Sequence, residues 1–234
     1  MRAGIRRCQW LAVLWCLLAV LEPGRSQPAA GGSMEPRSRG GFSAGMGVVY
    51  MSPPDIVDVV NSTPGSLERA PSFKSGVEFF GAGSIPIGRD WLVKVEYAYQ
   101  LMSYTIATAN DIAEYTVTIH CPTVIAQYVL FERGLYNLKI GAGGGFSAGT
   151  LSEHFFYIDD RFTGSGPGFV LDLEANTAFG EDFFAYLGAN ARWQLIGELS
   201  DSSGRSPGFS AGGSRPTLQA FGVGARLGFT YYFF

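Results

Sequence analysis

The chain has 234 residues, with 32 Gly, 18 Phe, 11 Tyr and 4 Trp, only 16% charged residues and a formal net charge of −3. That length suits one domain or one membrane barrel, the aromatic-rich and charge-poor balance excludes a disordered chain, and three Cys exclude a disulfide scaffold. No Gly-X-Y period, heptad or fixed repeat of about 20–50 residues is present, which removes collagen, coiled coil and solenoid.

The N-terminus reads as an address. Arg2, Arg6 and Arg7 precede an apolar run from Trp10 to Leu21, followed by Pro23, Gly24 and small residues. The run is too short for a spanning helix, which needs ~20 residues, and matches a secretory signal peptide. We expect a signal peptide over 1–26, cut after Gly24-Arg25-Ser26 or at Pro28-Ala29-Ala30, and a flexible periplasmic segment over 27–41. Arg7 before Cys8 and Trp15 before Cys16 are wrong for a lipoprotein. Cleavage removes four Arg and one Glu, so the remainder is more acidic than the whole chain and does not suit nucleic acid. Cys121 is then the one remaining thiol. Nothing after residue 26 resembles a ~20-residue apolar helix, so any membrane crossing is by strands.

From 42 onward the pattern has period two. Phe42–Met51 and Phe73–Gly83 are glycine-interrupted strands. Trp91–Leu101 alternates Trp, Val, Val, Tyr, Tyr and Leu with Leu92, Lys94, Glu96, Ala98 and Gln100. Thr123–Glu132 places Val124, Ala126, Tyr128 and Leu130 opposite Gln127, and Asn137–Gly149 places Leu138, Ile140, Ala142 and Phe146 opposite Lys139 and glycines. Phe169–Phe179, Phe183–Leu195 and Phe221–Phe233 alternate likewise, with Asp172, Glu174, Asn176, Tyr186, Asn190, Arg192, Gln194 and Arg226 on their polar faces. The best strands exceed the ~5–6 residues of soluble sheets and suit a tilted membrane crossing. Short turns at 84–90, 133–136 and 180–182 alternate with long loops at 52–72, 104–116, 150–167 and 199–217. That asymmetry belongs to transmembrane barrels with short periplasmic turns and long external loops. The expected fold is all-β: an eight-stranded antiparallel transmembrane β-barrel over 42–234, with ten strands as the alternative count. Pro122 cannot donate to a ladder, so it is expected where the fourth strand projects above the membrane, with Cys121 beside it at that exposed end and read as an inert small residue before a functional thiol.

The sequence resembles the small eight-stranded outer-membrane β-barrel proteins, the OmpA/OmpX-like group, over residues 42–234. Its sharpest point of likeness is the terminus Phe229-Thr230-Tyr231-Tyr232-Phe233-Phe234. Alternating aromatics ending in Phe resemble the signal read by the barrel-assembly machinery, which implies that role for Phe229, Tyr231, Phe233 and Phe234. The parity of Phe229, Tyr231 and Phe233 is the better lipid-facing match but ends one residue before Phe234, and that of Thr230, Tyr232 and Phe234 matches less well. The resemblance implies residence in the bacterial outer membrane among its lipids, with both chain ends periplasmic, as a monomer that needs no cofactor or metal.

With apolar faces toward lipid, the lumen receives Lys74, Glu78, Lys94, Glu96, Lys139, Asp172, Glu174, Arg192 and Arg226. An eight-stranded barrel has room only for side chains, and buried charges persist only when paired. The near balance of signs predicts an ion-pair network that plugs the lumen. A structural or surface-interaction role follows, with a surface partner unspecified, and a narrow porin-like channel is the alternative. A third reading, an outer-leaflet lipid hydrolase, rests on Ser147 approaching His154, with Glu153, Asp159 or Asp160 and His120 nearby. Gly-Phe-Ser-Ala-Gly recurs at 41–45, 145–149 and 208–212, but a nucleophile elbow needs a strand-to-helix turn that this strand pattern lacks. Asp159-Asp160 is read as solvated loop charge before a cation site, and Phe155-Phe156-Tyr157 as part of the outer aromatic girdle.

Overall fold

The computed structural model describes residues 39–63, 65–67, 69–108, 112–155, 158–207 and 215–233. The expected signal peptide, most of the segment over 27–41, the third Gly-Phe-Ser-Ala-Gly copy and Phe234 lie outside them. Eight strands run in chain order: β1 (Gly41–Ser52), β2 (Lys74–Pro86), β3 (Trp91–Ala107), β4 (Ile112–Arg133), β5 (Tyr136–Phe155), β6 (Ile158–Ala178), β7 (Phe183–Glu198) and β8 (Thr217–Tyr232), with one helix, α1 (Pro54–Asn61), between β1 and β2. Each strand pairs antiparallel with the next, and β1 pairs with β8, closing the barrel.

The turns at one end are tight. Gly134, at φ +46°, opens the two-residue turn that leaves Arg133 opposite Tyr136, a conformation a side chain would strain. At the other end, β3–β4 and β5–β6 are far longer than expected. The segments 104–116 and 150–167, expected as loops, are largely strand: Tyr104 pairs with Tyr115, Ala107 with Ile112, Leu151 with Phe162 and Phe155 with Ile158. These two hairpins form a wall rising beyond the rest of the barrel.

The alternation resolves the facing. Val95, Val124, Ile140, Leu171, Leu187 and Leu227 are exposed on the outer surface while their neighbours Lys94, Thr123, Lys139, Asp172 and Arg226 are buried in the lumen. Two tiers of aromatic pairs bound this apolar band. Trp91–Tyr128, Phe183–Phe229 and Phe42–Phe233 lie toward the tight turns, and Tyr50–Phe73, Trp193–Phe221 and Tyr99–His120 lie toward the long hairpins. Eight residues separate Trp91 from Tyr99, about 26 Å along the strand. A tilt of about 40° brings that to about 20 Å, near the ~25 Å band of membrane barrels.

Pro122 is a correction to the sequence reading. It lies inside β4, opposite Tyr97, and not at a projecting end. It is tolerated because the β4–β5 ladder breaks there, passing from His120↔Ala148 to Thr123↔Gly145, so no partner carbonyl waits for the missing donor. Pro167 uses the same device, since the β6–β7 ladder begins one residue later at Gly168.

Candidate functional site

The lumen is the part of the molecule whose chemistry the strands fix most closely, and it is built in two layers. Toward the tight turns it is ionic. Arg226, fully buried, donates from Nε to Glu78 and from Nη1 and Nη2 to Glu96 at 2.8 and 3.0 Å. Arg192 donates to the same Glu96. Lys94 reaches Asp172 at 2.8 Å, Glu174 at 3.2 Å and Glu96 at 3.3 Å. Lys139 sits directly opposite Glu174 across the β5–β6 ladder and donates to it at 2.8 Å and to the Tyr232 hydroxyl at 3.0 Å.

Neutral side chains complete the mesh. Gln127 donates to Asp172 and Glu174, each at 3.0 Å. Gln100 donates to Glu78, and Gln194 to Gln100. Asn176 joins Asn137 and Glu174 and accepts from Thr230, which also bonds Ser43. All eight strands contribute. Local sequence makes this possible: Arg226 has Gly47 opposite it on β1 and Gly188 on β7, so its long side chain crosses the lumen unobstructed. A Cβ on Gly47 would lie 2.4 Å from the Ala225 carbonyl oxygen and 3.0 Å from Arg226 Cγ.

Four cations, Lys94, Lys139, Arg192 and Arg226, therefore meet four anions, Glu78, Glu96, Asp172 and Glu174. Eight of the nine charged residues expected in the lumen are in this cluster. Lys74 is the exception. It faces inward at the far rim, its Nζ 5.6 Å from the centre of the Tyr104 ring, and among the described residues it makes no ion pair.

The outer layer is apolar, which the sequence reading did not foresee. Val49, Met51, Met102, Tyr104, Val117, Ile119, Leu151, Phe162, Ile196 and Leu218 fill it from the strands. From above, α1 inserts Ile56, Val57, Val59 and Val60. Pro54 begins the helix, and Asp55 accepts from the Thr217 backbone N–H at 2.9 Å and hydroxyl at 2.6 Å. The Thr63 and Tyr115 hydroxyls bond at 2.7 Å. The signal for α1 was present in Pro53-Pro54-Asp55 before apolar 56, 57, 59 and 60, a proline-led helix start with one apolar face.

Between the layers Cys121 is buried, with its sulfur 3.7 Å from Ser147 Oγ and 3.2 Å from Gln194 Nε2. The expected exposed location is thus overturned, because Cys121 shares the inward parity of Thr123 and Gln127.

The serine–histidine constellation does not assemble. Ser147 is buried in the lumen, whereas His154 is exposed and contacts Asp159. The two lie seven residues apart on one strand, about 23 Å, and on opposite faces. His120 bonds the Tyr97 hydroxyl at 2.6 Å on the outer surface. Asp160 is engaged by Arg205 at 3.0 Å, and Arg205 also bonds Asp201 at 2.6 Å. Burial raises the Asp201 carboxyl, but hydrogen bonds from the Arg205 and Ser203 backbones and side chains outweigh it and hold the group well below the usual carboxylate range. Phe155 packs inward against the outer apolar layer, away from any girdle, and its two neighbours lie outside the described residues.

The terminal strand has a definite register. Phe229 and Tyr231 are exposed outward, while Thr230 and Tyr232 are buried, and the Phe233 ring packs at a tilt against Phe42 with its backbone N–H bonded to Gly40. Of the two parities open in the sequence, the outward one is that of 229, 231 and 233.

No protein-family model matches the sequence, and no curated protein matches it. Solved structures do. Neisserial surface protein A matches with a TM-score of 0.52 at 12% identity, covering 84% of this chain and 98% of that one. The attachment invasion locus protein of Yersinia pestis matches at a TM-score of 0.47 and 9% identity, over 84% and 99%. OprG, an outer membrane protein of Pseudomonas aeruginosa, matches at 0.45 and 13%, over 86% and 99%. The chain has the fold of the small eight-stranded outer-membrane β-barrels, as the sequence resemblance implied.

Proposed function

We propose that this protein is a bacterial outer-membrane barrel whose lumen is closed, and whose role is structural or exercised through its surface loops and hairpin wall. The observation that carries the reading is the neutral ionic layer. Four buried cations and four buried anions, carried on six of the eight strands, bond to one another, so among the described residues no uncompensated charge is left in that layer to draw an ion through. The apolar outer layer with α1 supports the same conclusion, since it offers a permeating ion no ligands. In this reading both chain ends are periplasmic and lipid surrounds the aromatic-bounded band. Phe229, Tyr231 and Phe233 present the outward face that the assembly machinery reads.

Single-channel recording of refolded protein in a planar lipid bilayer tests the reading, with a faster-migrating unheated gel band confirming the barrel. Closure predicts a silent membrane at all voltages that the bilayer tolerates. Discrete, reproducible steps would move the protein to the narrow channels, with Lys94, Glu96 and Arg192 as the lining to alter.

A further inference from the structure

The outer chamber of the lumen has an occupant that is not part of its wall. α1 is an eight-residue helix rich in β-branched Ile and Val, far below the ~12–15 residues at which an isolated helix becomes even marginally stable. Its order comes from the chamber. Its Ile56, Val57, Val59 and Val60 share one buried cluster with Met51, Met102, Leu151, Ile196 and Leu218, all essentially unexposed. An apolar chain would satisfy them equally well, because the hydrophobic effect is non-directional.

The rim of that chamber carries the polar half of the argument. Every other inward-facing cation in the barrel meets a carboxylate, but among the described residues Lys74 meets none. Its ammonium lies over the Tyr104 ring, and the buried Tyr104 hydroxyl has no hydrogen-bond partner among the described residues. A half-buried cation at the rim thus lies over the ring of a tyrosine whose buried hydroxyl belongs to the apolar chamber below. That arrangement complements an anionic head on an apolar tail.

We propose that the outer chamber binds a long-chain carboxylate, its tail replacing α1 against the apolar wall and its carboxylate held by Lys74 and Tyr104. The ionic layer lies beneath and is untouched. Failure of this proposal therefore leaves the closed-barrel reading standing.

The probe is cis-parinaric acid, a fluorescent long-chain carboxylate, titrated into the full barrel in lipid nanodiscs, with empty discs subtracted to remove partition into lipid. Binding is expected to saturate at one per barrel. Lys74→Ala should weaken it about tenfold or more, the loss of one charge-assisted bond, while leaving the chain-matched fatty alcohol unaffected. In a Cys121→Ser background, Asp55→Cys with Thr217→Cys joins α1 to β8 at a contact already present. The oxidised form should not bind, and reductant should restore binding. Absence of saturable binding overturns the proposal. So does binding indifferent to Lys74→Ala, which does not depend on the cross-link, and so does binding that persists in the oxidised form, which places the ligand on the outer belt.

Discussion

The two layers of the lumen are closed by opposite means. The ionic layer is made wholly by strands: a cation on one strand, a carboxylate on another, in most pairs across the lumen, and glycine where a long side chain must pass. The apolar layer is mostly strand, completed by α1 from the connection between β1 and β2. The difference teaches where each kind of interaction is useful. A buried charge network fixes register, since a one-residue slip would turn Arg226 or Glu96 out into the apolar band. An apolar filling tolerates an exchangeable part, since any well-shaped hydrocarbon satisfies it.

Breaking the ionic layer should have the largest effect. Arg226→Ala leaves Glu78 and Glu96 short of their main partner, and the expected loss is about 3–5 kcal/mol of unfolding free energy, measured by urea titration of the barrel in vesicles. Arg226→Ala with Glu78→Gln should recover part of that loss, because one orphaned charge goes with it. In the apolar layer Leu151→Ala should cost about 2–4 kcal/mol in the same titration, and no neutralising partner will rescue it. Asp55→Ala releases only the anchor of α1 to Thr217. It should cost about 1–2 kcal/mol, seen as faster hydrogen exchange over 54–61 with barrel protection unchanged. The smallest effect belongs to the loop clasp of Arg205 with Asp201 and Asp160. Because the Asp201 carboxyl is depressed, the clasp contributes above the ordinary carboxylate pKa of about 4. It weakens only as pH falls through the lower folded value. Protease nicking near residue 205 should stay slow at pH 4–5 in the wild type and be fast there in Arg205→Ala.

The sequence made the membrane half of the fold legible and concealed the other half for a physical reason. In Trp91–Leu101 the apolar residues are odd-numbered and face outward. From Met102 they are even-numbered, with Tyr104 and Ile106, and face inward. The strand does not stop; its solvent changes. β4 shows the same inversion between Ala113, Tyr115, Val117 and Ile119 inside and Val124, Ala126 and Tyr128 outside, and β6 between Phe162 and Phe169. A reading that requires one apolar parity per strand ends each strand at the membrane surface and leaves 104–116 and 150–167 as loops. The eight charged residues of the ionic layer were legible because lipid excludes charge and forced them all inward. Their neutral partners Gln100, Gln127 and Asn176 fall on the polar faces of the pattern, but amides carry no charge to assign them to the network, and Asn137 marks only a strand start. Lys74 was expected in the network from parity alone, but position along β2 takes it to the rim.

The claim that the ionic layer seals the lumen by itself can be tested with the apolar plug removed. Residues 54–61 would be replaced by a Gly/Ser linker of equal length, the barrel refolded, and its conductance recorded in a planar bilayer beside the wild type. The account predicts that both remain silent, because the four-by-four charge layer stays intact beneath the emptied chamber. Steady single-channel steps from the linker variant alone would show that α1 was the seal, and would contradict the account.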